Sequence, residues 1–343
     1  MVDPSALDPE LRRELEAADA CEEIAVVYDP VPEVLEAYAF EGRIGVVAVV
    51  GAGAAAEAAA LDAGAIEVLT PATPRELALA RLRNAVARFR SRLKLERAVA
   101  DLGREADTNE RHLRLAAQLQ RSLLPRSLPE VAGVRFSTAY LPRDFVSGDT
   151  YELRLLGPER VALFTLDAVG HGVRAALLTT LLRSLFRPLQ GEQVRSPGEV
   201  LGELNGYLLD AQLDESPTAA FCYGLLDLPS RRLCLANAGH PSPVRIRPNG
   251  KYERLGGSGL LLGIDPAAYE DFEVELEPGD RVVFFTDGAD PVYDERFLRK
   301  LVELRDLDLE LQVGGALGEV IALDEEGRPE DDVTAVAFEL TTE

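Results

Sequence analysis

Four aspartate-containing corners in the second half of the sequence could carry chemistry, because each places a carboxylate next to an apolar, strand-like run. Asp167 ends the run VALFTL, Asp287 ends RVVFFT, Asp149 lies within FVSGDTYEL, and Asp331 and Asp332 precede VTAVAFEL. A single aspartate at a strand end usually belongs to a turn. Four such corners together predict a shared site, whose carboxylates would repel one another unless cations such as Mg²⁺ or Mn²⁺ lay between them. The pattern favours a hydrolase with a paired-metal centre.

Glycines beside these aspartates would let the backbone or a ligand approach closely. The glycines concerned are Gly148, Gly170, Gly172 and Gly288. His171 lies between two of them, and a structural role there is favoured over a role in orienting or protonating a leaving group. For His240, in the segment ANAGHPSP, hydrogen bonding within a turn and support of the active site are both open. The spacing of the residues indicates no Ser-His-Asp set and no cysteine nucleophile beside these aspartates.

A sandwich of sheets and helices is needed to bring the corners together. The sequence predicts strands at residues 136–141, 161–167, 219–228, 232–238, 243–247, 251–255, 281–286 and 333–340, and helices at 173–186, 197–213 and 294–302. The pairs Pro229-Ser230 and Asn249-Gly250 predict hairpin turns, and hence antiparallel strands. The first helix is expected to pack one face on the sheet, made of Val173, Ala176, Leu177, Thr180, Leu181, Ser184 and Leu185. This order of elements predicts an α+β fold.

The first 120 residues are predicted to form two further parts. Residues 1–80 alternate helix-like and strand-like pieces, which is typical of a small α/β unit with a parallel sheet. Residues 81–120 belong to a proline-free, coiled-coil-like helical linker, with interruptions expected at Gly103 and at residues 107–109. Phe89 and Leu93 are the predicted centre of a packed seam that would make the protein a homodimer. The predicted domains are therefore 1–80, 81–120 and 121–343.

The overall composition argues against some classes of partner. In a chain of 343 residues, 59 acidic residues against 36 basic ones give a formal net charge of -23, which disfavours nucleic acid or an anionic membrane as partner. The sequence lacks an uncharged apolar run of about 18 residues, and Met1 is followed by Val-Asp-Pro-Ser instead of a signal segment, so a cytoplasmic protein is expected. Cys21, Cys222 and Cys234 lack metal-ligand spacing and are interpreted as reduced packing residues.

Seven motifs resemble, in order and approximate spacing, those of the bacterial protein phosphatase 2C-like family. They are LQRSLLP, SGDTYE, LDAVGHGVRAALL, NAGHPSPV, LLG, FFTDG and DDVTAV, and the resemblance spans about Leu115 to Leu340. The chain is most similar to the branch of sigma-factor-regulating and sporulation stage II serine phosphatases. The resemblance implies an α-β-β-α sandwich with two Mn²⁺ or Mg²⁺ ions. It also implies hydrolysis of phosphoserine or phosphothreonine on a phosphorylated anti-anti-sigma-type protein.

The resemblance implies roles for individual residues as well. Asp149 and Asp167 match the family's bridging and first-site metal ligands, and the carbonyl of Ala168 matches a backbone ligand. Asp287 matches the ligand in the TDG motif, and Asp331 matches the ligand in the final DD motif. The four aspartates would form the catalytic centre, where water activated by the two metal ions attacks phosphorus.

Three neighbouring positions bear on how well this centre would work. Asp332 lies where members of the wider superfamily often carry asparagine, so a supporting position is expected for it. Glu152 keeps the carboxylate of the family's second acidic position but is one methylene longer, which bears on metal affinity. Pro291 replaces the acidic residue commonly found three positions after TDG.

The alternative to an enzyme is a pseudophosphatase that acts as a signalling adaptor, and the presence of all four aspartates favours the enzyme.

The N-terminal unit resembles a truncated or degenerate receiver domain of response regulators. The resemblance is carried by AALDAGAIEVLTPATPRELALARLRNAV, in which Thr70 replaces the lysine that usually precedes the proline. Asp29 stands where a phosphoacceptor would lie, but the strand that normally supplies an acidic pair is missing, so control by aspartyl phosphorylation is not expected. The segment VVAVVGAGAAA is a weak alternative match to a dinucleotide-binding fingerprint.

Overall fold

The computed structural model describes residues 9–19, 24–28, 45–49, 54–70, 72–190, 193–211, 217–290, 295–321, 323–325 and 327–341. The chain divides into two compact units, residues 1–109 and residues 110–343, and the predicted division into three parts stays a prediction. Cys21, Asp29 and Pro291 lie outside the described residues, as does most of the glycine-rich segment that follows residue 49. Within the described ranges, no helix is both long and apolar enough to cross a membrane.

The described part of the N-terminal unit contains a three-stranded parallel sheet. Its elements are α1 (Pro9–Asp19), β1 (Ile24–Tyr28), β2 (Gly45–Val49), α2 (Ala54–Asp62) and β3 (Glu67–Leu69), with the strand order β1-β2-β3. The predicted small α/β unit with a parallel sheet is confirmed. Its similarity to a receiver domain stays a prediction.

One helix of 49 residues, α3 (Arg75–Leu123), follows. It passes through Gly103 and residues 107–109, so the interruptions predicted there are wrong. A single glycine costs a helix only about 1 kcal/mol, and the Thr108 hydroxyl donates to the Arg104 carbonyl inside the helix at 2.8 Å. Phe89 and Leu93 are buried in the core of the N-terminal unit, so the prediction that they centre a seam between two chains is also wrong.

The C-terminal unit is a sandwich of two five-stranded antiparallel sheets. In the first sheet the order is β13 (Phe272–Glu275), β10 (Arg232–Ala238), β9 (Ala219–Asp227), β6 (Arg160–Ala168) and β5 (Asp149–Leu155). In the second it is β12 (Tyr252–Arg254), β11 (Val244–Ile246), β14 (Arg281–Phe285), β15 (Val333–Leu340) and β4 (Val134–Leu141). The predicted hairpins between β9 and β10 and between β11 and β12 are confirmed.

Helices cover both outer faces of the sandwich. The first sheet carries α4 (Val173–Leu185) and α5 (Pro197–Asp210), the second carries α6 (Arg296–Glu303) and α7 (Leu309–Val320), and a short hairpin of β7 (Leu189–Gln190) and β8 (Gln193–Val194) precedes α5. The predicted α-β-β-α architecture is confirmed. Along β14, Phe284 packs between the sheets and Phe285 packs under the helices, because successive side chains of a strand point to opposite faces.

Helix α4 turns a different face to the sheet from the one predicted. The buried residues of α4 are Ala175, Ala176, Thr179 and Leu182, whereas Val173, Leu177 and Leu181 of the predicted face are exposed. Apolar residues occur around most of the circumference of this helix, so the 3.6-residue period alone could not select the buried face. The sheet that packs beneath the helix decides it.

Candidate functional site

Two of the predicted metal ligands face each other across neighbouring strands of the first sheet. Asp149 is the first residue of β5 and is the direct cross-strand partner of Asp167 in β6. Side chains opposite each other in an antiparallel pair begin about 5 Å apart, and like charges in such a pair are destabilising. Asp149 is only 1 % exposed, so water does little to screen this repulsion. An acidic pair in which one carboxylate is buried and the other partly buried is unfavourable for the fold alone and indicates a site.

The second sheet contributes the other two aspartates at neighbouring strand ends. Asp287 begins a 3-10 turn two residues after the end of β14, and Asp331 lies two residues before β15, which pairs with β14. Gly288 is required for this approach, because a Cβ atom there would lie 2.1 Å from the Asp332 carbonyl oxygen. The glycine thus lets the turn that carries Asp287 lie against the segment that carries Asp331.

The electrostatics connect aspartates from both sheets. Burial, and then the charges of Asp149, Asp287, Asp331 and Asp332, raise the pKa of Asp167 to about 9. Burial also raises the pKa of Asp149 well above its usual range, with smaller contributions from Asp332 and Asp287. The pKa of Asp287 is raised by burial and by Asp331. The carboxyl groups therefore hold protons more tightly than ordinary aspartates, because their anions are crowded together in a poorly hydrated region.

The donor set suits divalent cations although it is not arranged as a finished coordination sphere. In the described part of the chain, no group of three or more Asp, Glu, His or Cys side chains is arranged to hold a metal ion. Carboxylate oxygens are nevertheless the ligands that Mg²⁺ and Mn²⁺ prefer, and a cation would favour the ionised forms that crowding now disfavours. Ala168 lies in the same corner, where its N–H donates to the Gly148 carbonyl at 3.0 Å.

Asp332 lies beside these aspartates but is engaged with the backbone. Its Oδ1 accepts a hydrogen bond from the Arg143 N–H at 2.8 Å, and its Oδ2 accepts one from the Gly148 N–H at 2.7 Å. Burial raises the pKa of Asp332, and these two N–H groups act in the opposite direction. The contacts hold the loop that leads into Asp149, and the supporting role expected for Asp332 stays a prediction.

The same loop is held by the end of α3. The Gln120 amide nitrogen donates to the Ser147 carbonyl at 2.7 Å, and the Gln120 carbonyl oxygen accepts from the Ser147 N–H at 3.0 Å. The Ser147 hydroxyl in turn accepts from the Asp149 N–H at 3.0 Å. Sequence reasoning missed Gln120, and its only signal was its presence in the LQRSLLP motif.

Glu152 is not brought to the aspartates. It lies three residues after Asp149 and so on the opposite face of β5, where its carboxylate forms an ion pair with Arg183 of α4 at 3.2 Å. The Arg183 guanidinium also donates to the carbonyls of Tyr151 and Leu123. Glu152 therefore joins β5 to α4 instead of facing a metal site.

The corner after Asp167 is open and built on glycine. Gly170 and Gly172 have φ values of 105° and 76°, in the left-handed region that favours glycine. A Cβ at either position would meet no heavy atom within 4 Å. Helix α4 begins after Gly172 without a side-chain cap, and His171 between the two glycines is exposed.

His240 has the contacts of a turn residue. Asn237 accepts from the His240 N–H at 2.8 Å and donates to the His240 carbonyl at 2.9 Å. The imidazole Nδ1 lies 3.1 Å from the Pro241 carbonyl oxygen. Burial lowers the pKa of His240 to about 4, so the ring is neutral near pH 7. Of the two roles left open by the sequence, these contacts favour hydrogen bonding within the turn.

One further residue beside the acidic cluster was missed from the sequence. Thr286, whose side chain is fully buried, donates its hydroxyl to Asp149 at 2.7 Å. Thr286 lies in the FFTDG motif, so the motif pointed to the neighbourhood but not to this contact.

Comparison with known proteins identifies the family. Residues 157–341 match the model of the stage II sporulation protein E (SpoIIE) family, and the chain belongs to this family. It is 27 % identical over 179 residues to the phosphoserine phosphatase RsbU of Bacillus subtilis, covering 52 % of each chain. It is 26 % identical over 209 residues to protein IcfG of Synechocystis sp., covering 53 % of this chain and 33 % of that protein. The chain thus spans about half or less of the length of these relatives.

Solved structures agree with the fold. The SiaA-PP2C domain of Pseudomonas aeruginosa is 25 % identical with a TM-score of 0.59, and the match covers 68 % of this chain and 98 % of that one. A structure of the PP2C phosphatase domain with a fragment of the regulatory domain of SpoIIE from Bacillus subtilis is 23 % identical with a TM-score of 0.53, covering 62 % and 64 %. The C-terminal unit therefore has a PP2C-type fold.

Proposed function

We propose that this protein is a metal-dependent protein serine/threonine phosphatase that hydrolyses phosphoserine or phosphothreonine on a regulatory protein. The proposal is carried by the crowding of Asp149, Asp167, Asp287 and Asp331 at one edge of a PP2C-type sandwich, where the pKa of Asp167 is raised to about 9. Relatives named as phosphoserine phosphatases support the same reaction.

The proposed cofactors are two Mn²⁺ or Mg²⁺ ions, held by the four aspartates and the Ala168 carbonyl. When bound, such ions supply an activated water and neutralise the charge of the phosphoryl group. No side-chain nucleophile is needed for this chemistry. Cys222, which could be considered as one, is fully buried, and burial raises the pKa of its thiol far above the range in which thiolates form near pH 7.

The open corner after Asp167 is proposed to receive the phosphoryl group of the substrate. The N-terminus of α4 lies there without a side-chain cap, and the partial positive charge of a helix N-terminus favours a phosphate group. Gly170 and Gly172 leave room for this approach. Asp332 and Gln120 would hold in place the loop that leads into Asp149, one of the proposed metal ligands.

The proposed substrate is a phosphorylated anti-anti-sigma-type protein, in keeping with the motif resemblance to sigma-factor-regulating phosphatases. Neither nucleic acid nor a membrane is proposed as a partner, in view of the net charge of -23. A cytoplasmic location is part of the same proposal.

A homodimer formed through α3 is also proposed, with a different seam from the one predicted. Leu95, Val99, Leu102 and Ala106 recur with alternating spacings of four and three residues, and every residue from 94 to 109 is exposed. Such a repeat is typical of a coiled-coil seam. A second copy of the same helix would cover these side chains, which the chain itself leaves in water.

The reaction is tested by measuring hydrolysis of p-nitrophenyl phosphate and of a phosphoserine protein with Mn²⁺, with Mg²⁺ and with a chelator. Asp287→Ala is compared with Asp306→Ala, a change of an exposed aspartate outside the site. We expect metal-dependent activity in the wild type and in Asp306→Ala, and its loss in Asp287→Ala. Activity that survives both the chelator and Asp287→Ala would contradict the two-metal centre.

The pseudophosphatase adaptor is the second candidate, favoured by the finding that, among the described residues, no group of three or more Asp, Glu, His or Cys side chains is arranged to hold a metal ion. It predicts that the wild type is inactive with each metal yet still binds its partner.

The proposed dimer is tested by sedimentation, in which Leu102→Glu is compared with Ala100→Glu on another face of α3. Dissociation in Leu102→Glu alone supports the seam, and a wild-type monomer argues against it.

A further inference from the structure

A buried threonine hydroxyl connects the two sheets at the candidate site. Thr286 lies between β14 and Asp287, and its side chain is 0 % exposed. Its hydroxyl donates to Asp149 Oδ2 at 2.7 Å and accepts from the Thr334 N–H at 2.9 Å. The Thr286 N–H donates to the Thr334 carbonyl at 2.9 Å. One side chain of the second sheet thus reaches the carboxylate at the start of β5 in the first.

The direction of the hydroxyl proton follows from these contacts. A threonine hydroxyl has one proton to donate. The hydroxyl oxygen of Thr286 already accepts a hydrogen bond from the Thr334 N–H. The backbone of Thr334 is fixed by the β15 ladder, in which it pairs with Tyr140 of β4. The hydroxyl also lies 3.5 Å from the Thr334 carbonyl oxygen, but its contact with Asp149 is 0.8 Å shorter, so the proton is directed to Asp149. When a bound cation keeps this carboxylate ionised, the hydrogen bond is of the stronger, charge-assisted kind.

We infer that Thr286 is a positioning residue, which orients the Asp149 carboxylate and thereby sets the affinity of the site for divalent cations. This inference rests on the proposed function. Thr286 directly precedes Asp287, and its partner Thr334 follows Asp331 by three residues. A single hydroxyl therefore ties together the segments that carry three of the four proposed ligands. Since its side chain is fully buried, Thr286 does not itself touch the substrate.

A purely structural role would have a different signature, and the chain offers a matched control. Thr165 in β6 is also 0 % exposed, and its hydroxyl has no hydrogen-bond partner among the described residues. Thr165→Val removes a buried hydroxyl from a neighbouring strand without removing a contact to a carboxylate. Thr286→Val removes the contacts of the hydroxyl with Asp149 and with the Thr334 N–H, and Thr286→Ser keeps both while deleting only a methyl group.

The test uses the full chain and measures Mn²⁺ binding by calorimetry, which does not depend on turnover. Thr286→Val is expected to weaken Mn²⁺ binding by roughly ten- to a hundredfold, the range seen when a partner of a metal ligand is removed. Thr286→Ser is expected to retain most of the wild-type affinity, and Thr165→Val all of it. Thermal unfolding with a chelator checks that each variant is folded.

Equal Mn²⁺ affinity in Thr286→Val and wild type would overturn the inference while leaving the proposed function intact. The same holds if Thr286→Ser loses as much affinity as Thr286→Val, because packing of the methyl group would then be the cause. A wild type that binds no Mn²⁺ would instead overturn the proposed function, and the inference with it. If Thr286→Val does not fold, Thr286→Ala against Thr286→Ser gives the same comparison.

Discussion

Asp167 and Asp332 lie at the same edge of the sandwich but in opposite surroundings. Both oxygens of Asp332 accept backbone N–H groups, whereas burial and four neighbouring aspartates raise the pKa of Asp167. A carboxylate that receives N–H donors stabilises the loop that supplies them. A carboxylate surrounded by other carboxylates destabilises the fold until a cation binds. The comparison distinguishes Asp332, which holds a loop in place, from Asp167, which we propose is a metal ligand.

The largest effect is expected from Asp167→Asn. Removing this carboxylate is expected to lower metal-dependent hydrolysis by more than about a hundredfold, because a proposed metal ligand is lost. At pH 7 the metal-free variant should be more stable than the wild type by about 1–3 kcal/mol, since a crowded acidic group has been removed. Hydrolysis assays and urea unfolding with a chelator measure the two effects. Loss of activity together with loss of stability would mean that Asp167, like Asp332, stabilises the fold.

The pH dependence of stability sharpens the same contrast. An unfolded aspartate ionises near pH 3.9, whereas folded Asp167 keeps its proton up to about pH 9. Between these values the unfolded chain binds fewer protons, so the stability of the metal-free protein should fall as the pH rises, by at most about 1.4 kcal/mol per pH unit from this group. Below about pH 4, Asp167 is protonated in both the folded and the unfolded chain, so the loss of stability that it causes at higher pH is absent there.

Urea unfolding of the metal-free protein at several pH values between 4 and 9 tests this expectation. Asp167→Asn is the control, in which most of the slope should disappear. Saturating Mn²⁺ should also reduce the slope in the wild type, because a bound cation stabilises the ionised carboxylates. An identical slope in the wild type and in Asp167→Asn would show that another group is responsible.

A smaller effect is expected from Asp332→Asn. The amide keeps the shape of the side chain but has one acceptor oxygen, so either the Arg143 or the Gly148 N–H loses its partner. The cost in stability should be about 1–3 kcal/mol, with a loss of activity of roughly tenfold because the loop before Asp149 is less well held. This variant should thus be destabilised where Asp167→Asn is stabilised, and a gain in its melting temperature would remove the distinction drawn between the two aspartates.

The smallest effect on the site is expected from Glu152→Gln. Because Glu152 pairs with Arg183 on the other face of β5, its removal should lower stability by about 1–2 kcal/mol. The Mn²⁺ concentration for half-maximal activity should not change. A shifted metal titration would return Glu152 to the neighbourhood of the metal centre, where the motif resemblance first put it.

Much of the fold could be predicted from local patterns. The strands at Arg232–Ala238 and Val333–Leu340 have the predicted bounds, since apolar, β-prone runs end at clear turn or charge signals. Asp149, Asp167 and Asp287 were predicted as site residues because aspartate and glycine at strand ends recur in one stretch of chain. For α4, the sequence predicted the helix but not its buried face. For α3, it predicted the helix but placed Phe89 and Leu93 in the wrong seam.

What the sequence by itself determined is therefore the set of elements, the order of the motifs and the acidic residues that the strand ends carry. Only the tertiary structure decided which carboxylates lie close to one another, which accept hydrogen bonds from the backbone and which form an ion pair with an arginine. Glu152 and Asp149 are only three residues apart, but they lie on opposite faces of β5. Glu152 therefore pairs with Arg183, whereas Asp149 lies among the other aspartates. Thr286 and Asp149 are distant in sequence, and their hydrogen bond exists because two sheets pack face to face. Contacts of this kind depend on packing between layers, and no local sequence pattern encodes them.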